Sequence, residues 1–195
     1  ILKMISEIKT GDVCDFRNYV NAVIDNSSFD KIMSYLDKVK SSVDAKILTG
    51  GNGDKSKGYF IEPTVIVTGN PHFFTMEEEI FGPVMTIYVY KDDKFDETLS
   101  ICDETSPYAL TGAIFSNDKY AMIKACRSLR YAAGNFYIND KPTGAMVGQQ
   151  PFGGARASGT NDKAGSHLNL IRWVSPRTIK ETLIPATDFR YPFME

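Results

Sequence analysis

LTGAIFSNDKYAMIKACRSLRYAAGNFYI, residues 110–138, is the stretch that decides the fold. Leu110 to Phe115 is apolar and strand-like, Asp118 to Arg130 reads as a helix, and Asn135 to Ile138 is a second short strand. A strand, a helix and a strand in that order predict a βαβ unit, because parallel neighbours need a long crossover where antiparallel ones need only a turn.

Upstream the alternation continues. Phe95 to Asp103 carries helical spacing at Phe95, Leu99 and Cys102, and Val84 to Tyr90 is rich in β-forming residues. Tyr59 to Val67 is expected to be extended, with Pro63 marking an edge or a break within it. Gly50, Gly51 and Gly53 interrupt regular structure after a short strand, Ala45 to Thr49. Ser28 is expected to cap a helix whose apolar stripe is Phe29, Ile32, Met33, Leu36 and Val39. The expected class is α/β, with a mainly parallel sheet and flanking helices.

Downstream the composition changes. Gly144, Gly148, Gly153, Gly154, Gly159 and Gly165 crowd into residues 143–165, together with Pro151 and Phe152. Such a stretch after a strand is a loop that turns tightly or lets backbone approach a ligand, and function concentrates in loops of that kind. Trp173 to Leu183 reads as a strand outside the alternation, followed by an aromatic tail, Phe189, Tyr191 and Phe193.

The chain has 195 residues, 43% of them hydrophobic and 24% charged, enough to build one domain with a sizeable core. Its net charge is −2, with both signs interspersed, so there is no basic stripe for nucleic acid. Apolar runs such as Pro83 to Tyr90 are strand-sized, far below the roughly 20 residues that span a bilayer. Cys14, Cys102 and Cys126 are odd in number, widely spaced and without a nearby histidine pair, which argues against a disulfide framework and a metal site. His72 and His167 stand alone in expected loops, without metal-ligand spacing. Neither a G-x-S-x-G elbow nor a complete GxGxxG fingerprint occurs. The first residue is Ile1, and the reading is that of a processed chain or a piece of a longer one.

Two short signatures carry a resemblance. Glu78-Glu79-Ile80-Phe81-Gly82-Pro83-Val84 resembles the EEIFGPV signature of the aldehyde dehydrogenase superfamily, and Pro151-Phe152-Gly153-Gly154 with Ser158-Gly159 resembles its later PFGG…SG signature. Between them Tyr108-Ala109-Leu110-Thr111-Gly112 is similar to the family's YGLT-type turn, with Ala109 where glycine is more usual. The runs Ala133 to Lys141 and Val147 to Asp162 narrow the resemblance to the pyrroline-5-carboxylate dehydrogenase branch, whose members oxidise glutamate γ-semialdehyde to glutamate with NAD.

The resemblance implies roles. Glu79 would accept hydrogen bonds from the hydroxyls of the nicotinamide ribose of NAD. Phe81 would share its face if the segment is extended, and would pack near the nicotinamide. Gly144 and Ala145 would hold the substrate α-carboxylate through backbone N–H groups, and Phe152 would pack on its aliphatic part. Each has a plainer alternative: Glu77 to Glu79 as a solvated acidic run at a helix start, and residues 143–147 as a surface turn with Phe152 in a core. No cysteine stands in the Gly-Gln-Lys/Arg-Cys setting of the family's nucleophile, and the Glu-Leu-Gly-Gly general-base segment is missing. The expectation is therefore no catalytic residue in this chain, and no activity from it alone.

By the same resemblance, residues 1–172 would be a partial catalytic domain, and residues 173–195 an oligomerisation strand and tail. The partners implied are a small-molecule substrate, a Rossmann-type NAD domain elsewhere in the parent chain, and further copies in a homodimer or higher homo-oligomer. No nucleic acid and no membrane are implied. The location implied is the mitochondrial matrix in a eukaryote and the cytoplasm otherwise. Two rivals remain open: an aldehyde dehydrogenase of different substrate, and a non-catalytic assembly module.

Overall fold

In the computed structural model, which describes residues 1–194, a short α1 (Leu2–Ser6) precedes the helix that organises the first half, α2 (Asn26–Ser41). The cap of α2 is Asp25 and not the expected Ser28: the Asp25 carboxylate accepts the N–H of Ser28 at 2.7 Å. Aspartate accepts such a bond as well as serine does, and from this position it satisfies an orphan donor of the first turn. The stripe behaves as its spacing predicts, with Phe29, Ile32, Leu36 and Val39 buried.

Strands β1 (Ala45–Thr49), β2 (Gly53–Asp54), β3 (Phe60–Ile61) and β4 (Thr64–Thr68) follow, and Pro63 breaks the extended run between β3 and β4. Helix α3 (Phe74–Glu77) and β5 (Val84–Tyr88) complete a three-stranded sheet of order β1-β4-β5. Ile61, Ile66 and Phe73 close a core against α2 with Phe29, Ile32, Leu36 and Val39. Full burial of an Ile or Leu side chain stabilises by about 1.5–3 kcal/mol, so this stripe fixes the position of α2.

The second half holds α4 (Phe95–Glu104), β6 (Tyr108–Ala109), β7 (Thr111–Ile114), α5 (Lys119–Ser128) and β8 (Asn135–Ile138). Asp118 caps α5, accepting the N–H groups of Tyr120 at 2.8 Å and Ala121 at 3.4 Å. β7 and β8 pair in parallel from Thr111↔Asn135 to Ile114↔Ile138, so the βαβ unit stands where the sequence places it. Its core is Leu99, Ala125 and Leu129 under Phe95, Ile114, Ala132 and Phe136. The glycine-rich region contributes β9 (Ala155–Arg156), and α6 (His167–Leu170) follows it, so His167 starts a helix instead of lying in a loop.

One expectation is corrected, and another finds no partner within the chain. The sheet is not mainly parallel: β4–β5 and β7–β8 are parallel, whereas β1–β4, β2–β3 and β6–β9 are antiparallel. The link from β1 to β4 folds into the β2–β3 hairpin and supplies no helical crossover, so β4 returns antiparallel to β1. Nor does Trp173 to Leu183 form a strand within the chain. Trp173 ends a 3-10 turn, Val174 is extended, and no ladder among the described residues includes residues 174–183. A strand needs an edge to pair with.

Candidate functional site

The first signature lies at the end of α3 and in the turn that leads to β5. Its acidic run therefore follows a helix C-terminus and does not open a helix, where carboxylates would gain from the dipole. Two of its three carboxylates are engaged inside the chain. Tyr35 on α2 donates its hydroxyl to Glu78 Oε2, and His72 Nδ1 lies 2.9 Å from Glu77 Oε1. The Glu78 carboxylate raises the Tyr35 phenol above its usual pKa, because the hydrogen bond and the adjacent negative charge both favour the protonated form. Glu79 is exposed and makes no hydrogen bond among the described residues.

Phe81 is 85% exposed and adopts φ +62°, in the left-handed region that bulky residues avoid. The segment is thus not simply extended, and the alternation that would put Glu79 and Phe81 on one face does not hold. Gly82 follows against α2, where an added Cβ would sit 2.6 Å from Ile32 Cδ1. The turn is pressed onto the core at Gly82 and bonded to α2 through Glu78, while Glu79 and Phe81 project into solvent.

The second region is the loop after β8. Gly144 adopts φ +84°, and an added Cβ would lie 3.0 Å from Lys141 Nζ, so an ammonium stands beside this position. None of the hydrogen bonds among the described residues uses the N–H of Gly144 or Ala145. Unengaged backbone donors, a glycine without a blocking side chain and a nearby cation suit a carboxylate ligand. Beyond them Met146 closes a turn, its N–H donating to Gln150 Oε1 at 3.2 Å and its carbonyl accepting from Gln149 and Gln150 at 3.0 and 2.9 Å.

Phe152 is half-buried and exchanges both backbone hydrogen bonds with Ala164, at 2.9 and 2.8 Å. Gly134, just before β8, approaches the Gly153 carbonyl so closely that any Cβ would overlap it. Asn135 is 9% exposed; its side chain donates to the Pro151 carbonyl at 3.2 Å and accepts the Gly153 N–H at 3.1 Å. Lys163 Nζ donates to the Gly134 carbonyl at 2.5 Å, and lies 3.4 Å from both Asn135 Oδ1 and the Gly153 carbonyl. Burial holds the Lys163 ammonium below the usual lysine pKa. Ser158 Oγ accepts the Ala109 N–H at 3.0 Å, which ties the second signature to β6.

The sequence reading missed Gly134, Asn135, Lys163 and Tyr35 as site-shaping residues. Lys163 and Asn135 lie 28 residues apart, so no local pattern marks the pair. A cleft of about 690 Å³ lies between α4 and α5 and is lined by Phe95, Leu99, Cys102, Ile114, Ala125 and Leu129, away from every expected site residue. Surrounding atoms and then the Asp103 charge raise the Cys102 thiol above its usual pKa, the opposite of what a nucleophile requires. Cys14 is exposed in a turn and Cys126 is part-buried on α5. No metal-ligating cluster occurs among the described residues.

The aldehyde dehydrogenase family model matches residues 1–179. The chain is 63% identical over 190 residues to mitochondrial delta-1-pyrroline-5-carboxylate dehydrogenase of Dictyostelium discoideum, covering 97% of this chain and 34% of that protein. Against the Homo sapiens protein of the same name the identity is 53% over 196 residues, covering 100% of the chain and 35% of the relative. Among solved structures, the NAD-bound delta-pyrroline-5-carboxylate dehydrogenase of Mycobacterium tuberculosis superposes with a TM-score of 0.83 at 47% identity, over 100% of this chain and 35% of that one. The chain thus spans about a third of the length of the curated relatives it matches.

Proposed function

The chain belongs to the aldehyde dehydrogenase family, and from that membership we propose that it is part of an NAD-dependent dehydrogenase that oxidises glutamate γ-semialdehyde to glutamate. The observation that carries the reading is selective: in the run Glu77 to Glu79, both neighbours are bonded within the chain and Glu79 alone is left to meet a ligand. A carboxylate in that state can accept both hydroxyls of a ribose, and the exposed ring of Phe81 can cover a flat heterocycle. NAD, when bound, supplies the hydride acceptor.

At the other end of the substrate, the N–H groups of Gly144 and Ala145 hold the α-carboxylate, with Lys141 adding positive potential beside them. Phe152 packs on the aliphatic carbons. Ala145 offers no side-chain hydroxyl, so the backbone carries the anchoring. Residues 1–172 are part of the catalytic domain, and residues 173–195 are a strand and tail that pair with an edge offered by another subunit in a homo-oligomer. Exposed Trp173, Ile179, Leu183 and Phe189 suit that pairing. In a eukaryote the enzyme works in mitochondria, as the names of the eukaryotic relatives suggest.

This chain alone has no dehydrogenase activity, because none of its cysteines has the setting of a thiolate nucleophile. Exposed Phe16, Tyr19 and Ile24 are covered by the rest of the parent protein. The test is NADH formation by the full-length enzyme from glutamate semialdehyde against a plain aliphatic aldehyde, with the chain alone in parallel. Preference for the carboxylated aldehyde, and silence from the chain alone, are expected. Equal turnover of both aldehydes would sink the substrate assignment, and thiol-sensitive turnover by the chain alone would make one of its cysteines a nucleophile.

A further inference from the structure

Residues 152–165 hold a constellation that the reading above does not use. Three backbones converge at one place: the end of the α5–β8 connection at Gly134, the Phe152–Gly154 segment, and the return segment that carries Lys163. Gly134 and Gly153 meet without room for a side chain on Gly134, and Lys163 Nζ reaches the carbonyls of both, together with Asn135 Oδ1. An ammonium has three protons, and here each has an acceptor within 3.4 Å.

No carboxylate pairs with Lys163 among the ion pairs of the described residues; every acceptor is a neutral carbonyl or amide oxygen. Partial desolvation of the ammonium carries a cost that these neutral acceptors must offset. The backbone carries a cost here as well. Lys163 adopts φ +56° and Asn161 φ +58°, two non-glycine residues in the left-handed region within three positions. Ala164, next to Lys163, forms the two-way bridge to Phe152, and a Cβ added at Gly165 would lie 3.5 Å from Val147, in the turn that follows Gly144 and Ala145. The position of Lys163 therefore sets both flanks of the loop.

We propose that Lys163 is a positioning residue that clamps the glycine-rich loop to β8 and so fixes Phe152 and the Gly144–Ala145 donors relative to each other. The inference rests on the reading of that loop as the substrate anchor. Lys163 touches no reacting atom; it acts through Gly134, Gly153 and Ala164. Its loss should loosen recognition of the carboxylated end of the substrate and spare both the cofactor contacts and the chemistry.

The experiment compares Lys163→Met and Lys163→Arg in the full-length enzyme. Lys163→Met is expected to raise the KM for glutamate semialdehyde about tenfold, with kcat and the KM for NAD within about twofold of the parent. Turnover of a plain aliphatic aldehyde should also stay within about twofold. Lys163→Arg, which keeps the charge and the donors, should recover most of the lost KM. An unchanged KM, or an equal loss for both aldehydes, would overturn the clamp. If Lys163→Met does not accumulate as soluble enzyme, Lys163→Gln carries the same comparison with a donor retained. Hydrogen exchange separates the clamp from the substrate reading: the Phe152 and Gly153 amides should exchange at least tenfold faster in the variant, whatever the enzyme oxidises. Unaltered exchange there would refute the clamp even if glutamate semialdehyde is the substrate, and faster exchange in an enzyme that ignores glutamate semialdehyde would keep the clamp and refute the substrate.

Discussion

The segments Glu77–Pro83 and Thr143–Gly165 both carry a family signature, yet they are held by different means. The first is short and leans on a helix: Tyr35 bonds Glu78, and Gly82 sits on Ile32, a fully buried member of the α2 stripe. Its shape follows from a core that forms anyway. The second has no such floor. It is fixed by the close approach of Gly134 and Gly153, by the Asn135 amide and by a lysine from its own far end. Contacts between residues distant in sequence, not local propensity, define it, so it should be the more fragile of the two.

The sharpest way to break that contrast is Gly134→Val. A side chain there overlaps the Gly153 carbonyl, so the loop must move, at a cost of about 3 kcal/mol in urea denaturation. A loss below about 0.5 kcal/mol would mean that the loop yields without resistance. Tyr35→Phe probes the first segment and should cost only about 1 kcal/mol at neutral pH, since the bond is partly exposed to solvent. The Tyr35 phenol titrates above its unfolded value, so its contribution is complete below pH about 10 and is lost as pH rises through the raised pKa. Wild type and Tyr35→Phe should therefore converge in stability as the pH rises above about 10, and a gap that widens there would contradict the assignment. The smallest effect belongs to the tail. Removing residues 173–195 should leave the stability of the remainder within about 0.5 kcal/mol, because the tail's large apolar side chains are exposed, while sedimentation of the full-length enzyme should show lost assembly.

The same contrast explains what could be read from the sequence. The α2 stripe, the strand lengths and the βαβ unit at residues 110–138 follow from periodicity, and the structure keeps them with boundaries shifted by a few residues. Strand direction did not follow, since it depends on whether a link folds as a hairpin or as a helix. At the candidate site, motifs alone point to Glu79, Phe81, Gly144, Ala145 and Phe152 as the proposed ligand contacts. Their supports are not marked in this way. Nothing near Lys163 in the chain announces that its ammonium reaches Gly134, and nothing in the motif announces the left-handed turn at Phe81, next to the Gly82 that lies against Ile32. The strand expected at residues 173–183 shows the limit of propensity: β-forming residues mark a segment able to pair and leave its partner unnamed.

The central claim is that the two segments divide the labour, with Glu79 serving the cofactor and Gly144 the substrate carboxylate. Steady-state kinetics of the full-length enzyme with Glu79→Gln and with Gly144→Val, varying each substrate in turn, tests it directly. Glu79→Gln should weaken NAD use by about 1–2 kcal/mol, roughly tenfold in its KM, because an amide accepts less strongly than a carboxylate. Gly144→Val, forced into a left-handed turn at φ +84°, should raise the KM for glutamate semialdehyde by a similar factor and leave NAD binding alone. A crossed pattern, one constant moved by each variant, is the predicted result. If both variants move the same constant, or Glu79→Gln leaves NAD kinetics unchanged, the division is wrong.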